Sequence, residues 1–85
     1  MSKKEYIPKI VWVEWIDPEV ISGWQCPEEI DLKPKPVEAI GYLLKEDNHG
    51  IAIAVAWDKH NQQANAVLTI PGELIIRCYE IDIPK

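Results

Sequence analysis

Cys26, Cys78, His49 and His60 are the residues of this chain whose types could support nucleophilic chemistry, with a thiol as nucleophile and an imidazole as base. Their spacing argues otherwise. No glycine-rich elbow precedes a candidate nucleophile and there is no Cys-x-x-Cys, and the two histidines lack the short spacing of a zinc site. Cys78 falls in an apolar, β-branched run and reads as a small core hydrophobe. The adjacent carboxylates Glu28 and Glu29, with Asp31 nearby, are the other candidates, for acid–base work or for a divalent cation. They follow Pro27, so the simpler reading is a solvated first turn of a short helix. The sequence therefore predicts no enzyme, no metal and no cofactor.

Binding chemistry is better represented. Four tryptophans stand in 85 residues, and a Trp side chain offers large contact area at small entropic cost. Trp12, Trp15 and Trp57 lie in strand-like runs, where core packing accounts for at least two of them. Trp24 instead follows Ser22-Gly23 in "DPEVISGWQCPEEIDLKPKP", from Asp17 to Pro36, which carries four of the seven prolines. Two roles fit it: a plug folded back over the open end of a barrel, or a recognition residue. Prolines lower the entropic cost of ordering this loop, and Ile21, Trp24, Ile30 and Leu32 are its candidate apolar anchors. At its end, Lys33 and Lys35 alternate with Pro34 and Pro36 as a stiff basic strip. A ligand or partner site would draw on Trp24, Trp15, Lys33, Lys35 and Arg77.

Charge narrows the ligand. Fourteen acidic residues against nine basic ones give a net charge of -5, and Arg77 is the sole arginine. Non-specific nucleic-acid binding depends on many phosphate-neutralising Lys and Arg side chains, so it is not expected. A small anionic ligand needs only a local pocket of donors and stays open. The N-terminus lacks a secretory pattern and "GIAIAVAW" is too short to cross a bilayer. Two cysteines without framework spacing suit a reducing interior, so a cytoplasmic protein is expected.

The elements that must position these residues are strands. Lys9–Ile16 is rich in β-branched and aromatic residues on both faces: Ile10, Trp12 and Ile16 on one, Val11, Val13 and Trp15 on the other. Residues 37–46 form a second strand, with Gly41 marking a bend or bulge. "DNHG" turns the chain into residues 51–57, where Ile51, Ile53, Val55 and Trp57 alternate with Ala52, Ala54 and Ala56. The bulky face is assigned to the core, and the alanine face to close packing against another layer or another subunit. Residues 64–70 and 74–81 supply two more strands, separated by "PGE" as a single helical turn. These features predict one mostly β domain over residues 1–85, with 1–8 a flexible arm. The architecture is a small five-stranded barrel of SH3-like or Sm-like type with one long ordered loop. An OB-like barrel is the alternative. A chain this small has a thin stability margin, which favours a homo-oligomer.

"VWVEWIDPEVISGW", the acidic "PEEID", "VEAIGYLLKEDNHGIAIAVAWD" and "VLTIPGELIIRCYEI" together resemble a group of small proteins of tailed-phage and prophage genomes. The shared pattern is Val-x-Trp, then Gly-Trp, then Gly-aromatic-Leu before a charged turn, then Ile-Pro, over residues 10–81. Trp15 and Glu73 depart from it, so no role is carried over to Glu14, Trp15 or Glu73. The resemblance implies a phage accessory protein acting in the host cytoplasm. Small oligomeric barrels there bind host proteins or sequester nucleotide signals of antiviral defence. A structural or assembly protein of the phage particle is the second reading, and a small-substrate enzyme the third.

Overall fold

A computed structural model describes residues 7–18 and 22–82. Most of the expected N-terminal arm, and Ile21 of the loop, lie outside the described residues. Five strands follow in chain order: β1 (Lys9–Ile16), β2 (Pro36–Asp47), β3 (Gly50–Asp58), β4 (Gln63–Pro71) and β5 (Ile75–Ile81). Short 3-10 turns occupy Pro27–Glu29 and Gly72–Leu74. The second, expected from Pro-Gly-Glu, starts one residue later and takes Leu74 from the last strand.

All pairings are antiparallel, in the order β4-β3-β2-β1-β5. β4 and β5 are therefore the two edges, and no pairing joins them among the described residues. The chain is a mostly β protein with one five-stranded antiparallel sheet, and the ladder needed to close a barrel is not part of it.

The alternation in β1 decides which face is inside. Val11, Val13 and Trp15 are buried, and their partners Gly41, Ala39 and Val37 place the matching face of β2 beneath them. The core joins these β1 side chains to Ile51, Ile53 and Ile70, from strands two and three places away in the sheet. Ala39, Leu43, Ile75 and Cys78 pack around them. Contact between strands so far apart requires the sheet to curl. Two irregularities accompany the curl: a register shift between Leu43 and Lys45 and another between Glu14 and Trp15. The bulge thus falls just beyond Gly41. Gly41 itself serves close approach, since a Cβ there would lie 2.9 Å from the Ala54 carbonyl oxygen.

β3 departs from its expected assignment halfway along. Ile51 and Ile53 are buried, but Val55, on the same face, is 75% exposed and Trp57 only half-buried. The reason is pairing: β2 accompanies β3 only as far as Ala54, and among the described residues the outer part of β3 pairs with β4 alone. A two-stranded ribbon has no third layer to bury its bulky face. Ala66, between the paired residues Asn65 and Val67, adopts φ +58°, an uncommon conformation for a residue with a Cβ. The alanine face is also mixed. Ala54 is buried between Tyr42 and Val67 of the flanking strands, whereas Ala56 is exposed. The Cα atoms span 62 × 25 × 24 Å with a radius of gyration of 16.8 Å, against about 12 Å for a compact chain of this length.

Candidate functional site

The loop between β1 and β2 holds most of the residues singled out for binding. Local polar contacts shape its course. The 3-10 turn closes through Glu29 N–H to Cys26 O at 2.9 Å and Ile30 N–H to Pro27 O at 3.2 Å. Asp31 Oδ1 then accepts Lys33 N–H at 2.9 Å, and Gln25 Nε2 donates to Ser22 O at 3.3 Å. Gly23 takes φ +92°, which no L side chain adopts readily, just before Trp24. Of the expected apolar anchors, the three described, Trp24, Ile30 and Leu32, do not pack into the core. Trp24 is fully exposed, Leu32 is 90% exposed and Ile30 is exposed as well. Trp24 is not folded back over the sheet. These three side chains lie outside the core, which is built from strand residues.

Lys33 and Lys35 are exposed in the same loop. Trp15 is not: it is buried in the core, with Nε1 donating to Asp17 Oδ1 at 3.4 Å where the loop begins. Its side chain can set the loop's exit from β1 but offers no contact surface. Arg77 lies on β5, opposite Glu14 of β1, and Nε donates to Glu14 Oε1 at 3.0 Å. That pairing commits Arg77 to a neighbouring carboxylate on the outer sheet face rather than joining it to the loop lysines.

The outer face carries a cluster that the sequence pattern did not single out. Trp12 and Tyr79 are directly opposed across β1 and β5, with ring centroids 5.7 Å apart and planes 7° from parallel. Ile40 pairs with Trp12 from the β2 side and is exposed. Trp12 Nε1 donates to Glu38 Oε2 at 3.3 Å, so the aromatic shelf has an acidic rim of Glu14 and Glu38. The available signal was the phase of β5: Arg77, Tyr79 and Ile81 share one face, opposite to Cys78.

The candidate catalytic groups are dispersed. His49 is in the β2–β3 turn and His60 in the β3–β4 turn, at opposite ends of a nine-residue strand, a separation of about 30 Å. Cys26 is exposed in the loop and Cys78 sits beside the core on β5. Burial pushes the Cys78 thiol pKa upward, helped by the charge of Glu46, which disfavours the nucleophilic thiolate. Glu28 is held below the usual carboxylate range by the Cys26 side chain and by its own backbone N–H, which suits a solvated anion better than a proton donor. Among the described residues, no group of three or more His, Cys, Asp or Glu side chains is placed to hold a metal ion.

A cavity of about 310 Å³ lies at the other end of β2 from the loop. Lys45, Asp47, His49 and Thr69 line it with polar groups, alongside the apolar Ile51 and Ile70. It has the size of a small ligand site but shares no residue with the loop. No helix among the described residues is long and apolar enough to cross a membrane. No family model, curated protein or solved structure matches the chain.

Proposed function

We propose that this protein is a non-enzymatic binding module, working as a homo-oligomer, whose Asp17–Pro36 loop engages a partner. The observation that carries the reading is the full exposure of Trp24 in a locally hydrogen-bonded loop, with Leu32 and Ile30 also exposed. Exposed large apolar side chains on an ordered loop are costly to leave in water and are typical of recognition surfaces. A host protein fits this surface best, because apolar and aromatic groups dominate it and the chain is acidic. An anionic, nucleotide-like signal is the narrower alternative, using Trp24 for stacking and Lys33 and Lys35 for charge.

The barrel reading supports the same role. The order with β1 between β2 and β5, the long connection after β1 and the 3-10 turn before β5 agree with an SH3-like or Sm-like design. In that design the loop stands on a rigid frame. The pattern resembling small phage proteins supports the same reading, that of a phage accessory protein acting in the host cytoplasm. The outer β3–β4 ribbon, with Val55 and Val67 exposed, favours a second reading: a structural or assembly protein of a phage particle.

Trp24→Ala separates the binding role from a structural one. The expected result is loss of a stoichiometric partner or ligand mass in native mass spectrometry, with Tm within about 2 °C of the parent. A large fall in Tm with the bound mass retained would make Trp24 a structural residue.

A further inference from the structure

Antiparallel pairing sorts the side chains of β1, β2 and β5 into rows that share the outer face of the sheet. Ile40, Trp12 and Tyr79 form one row, and Tyr42, Ile10 and Ile81 the next. Val11, Val13 and Trp15 fill the core from the other face of β1, so these apolar rows are surplus to it. Ile40 is 63% exposed and Tyr79 59%. A contiguous apolar patch left open in this way marks an interaction surface, unlike apolar residues scattered singly. The third row on the same face is charged: Glu38, Glu14 and Arg77. Arg77 is committed to Glu14 at 3.0 Å. Glu38 instead accepts the Trp12 indole N–H at 3.3 Å, and no cation pairs with it among the described residues.

We infer that this shelf binds a partner protein through an Arg- or Lys-bearing segment, laid over Trp12 and Tyr79 with a cationic head group against Glu38. Charge selects this occupant. A carboxylate without a cation, held by a hydrogen bond at the edge of an indole, complements a guanidinium or ammonium group. The aromatic faces attract the cation through their quadrupole, and Glu38 attracts it through its full charge. Ile40, beside Trp12, accepts the methylene stem of the same side chain. The net charge of -5 adds long-range attraction for a basic partner. An anionic ligand meets the opposite here, because Arg77, the only cation of these rows, is already engaged by Glu14. The shelf is distinct from the Asp17–Pro36 loop, since Trp24, Ile30 and Leu32 belong to none of its rows. The inference therefore goes beyond the loop's role and does not depend on it.

Fluorescence anisotropy of a labelled Arg-Gly repeat peptide tests it, with a Glu-Gly repeat as the anionic control and circular dichroism checking the fold. The parent should bind the basic peptide and not the acidic one. Tyr79→Leu, which keeps an apolar side chain and removes the π surface, should weaken binding about three- to tenfold. Glu38→Gln should weaken it by a similar factor, about three- to tenfold. As an exposed, near-isosteric change, Glu38→Gln carries the test if Tyr79→Leu does not fold. Glu73→Gln removes the same charge in the turn before β5 and should leave binding within about twofold. Trp24→Ala should also leave it unchanged, which separates the shelf from the loop. No binding by the parent, or binding unchanged in Tyr79→Leu and Glu38→Gln, overturns the inference. Equal losses in Glu38→Gln and Glu73→Gln overturn it by showing attraction to net charge alone. Loss in Trp24→Ala with Tyr79→Leu unaffected overturns it by moving the cation site to the loop. Self-association lost in Tyr79→Leu while peptide binding persists overturns it in favour of a second copy on this face.

Discussion

Val13 and Trp24 lie eleven positions apart in the chain and at opposite extremes of exposure. Val13 is fully buried at the centre of β1, and Trp24 is fully exposed in the loop that β1 feeds. The contrast extends to their surroundings. Around Val13, alternation on β1, β3 and β4 converges on one small core. Around Trp24, prolines, an Asx turn and a 3-10 turn fix the backbone while the apolar side chains are left outside. One region spends its hydrophobic residues on folding, and the other keeps them for contact.

The largest effect should come from the core. Trp15→Ala empties a buried site of a large side chain and should cost about 3–5 kcal/mol, much of the margin of a domain this size. Denaturant titration checks it, and a loss below about 1 kcal/mol would mean that the β1 face is not the centre of the fold.

Backbone geometry comes next. Gly50 has φ +152°, and a Cβ there would clash with the Ile70 carbonyl oxygen. Gly50→Ala should therefore destabilise by about 2 kcal/mol or more. Gly41→Val should cost about 1–3 kcal/mol through overpacking against Ala54 and Ile53. In thermal melts, the two should clearly exceed Trp24→Ala, which is expected to change stability by no more than about 0.5 kcal/mol.

Smaller effects sharpen the same division. With a thiol reagent near pH 8, the exposed Cys26 should react at once and Cys78 slowly, reaching full reactivity only in denaturant. Two equally fast thiols would place Cys78 outside the core. Hydrogen bonds from Asn61, side chain first, and from the His60 backbone hold Asp58 below its ordinary pKa. Its contribution to the β3–β4 turn is thus present above about pH 4 and is lost as the pH falls through the depressed folded value. Amide exchange of His60 and Asn61, corrected for intrinsic rates, should accelerate in acid and in Asp58→Asn at neutral pH.

The strands were legible because period-2 alternation is a direct record of burial. Lys9–Ile16 is recovered with the same ends and β5 with the same last residue, and the remaining strand ends shift by a residue. Alternation could not say where burial stops. Val55 continues the face of Ile51 and Ile53, yet the strand that would cover it diverges. Nor could the apolar residues of the loop be read as outward-facing, since Ile30 and Leu32 have the composition of anchors. In the structure they lie outside a core built from β1, β3 and β4. Trp15 illustrates the opposite case: it was expected at a binding site, yet its phase with Val11 and Val13, legible in the sequence, makes it a core residue.

The most direct measurement is a native mass spectrum of the protein purified from bacteria. A discrete oligomer with a stoichiometric added mass that is lost in Trp24→Ala is the predicted result, the mass distinguishing a protein partner from a small anion. A bare monomer with no partner, indistinguishable from Trp24→Ala, would contradict the account.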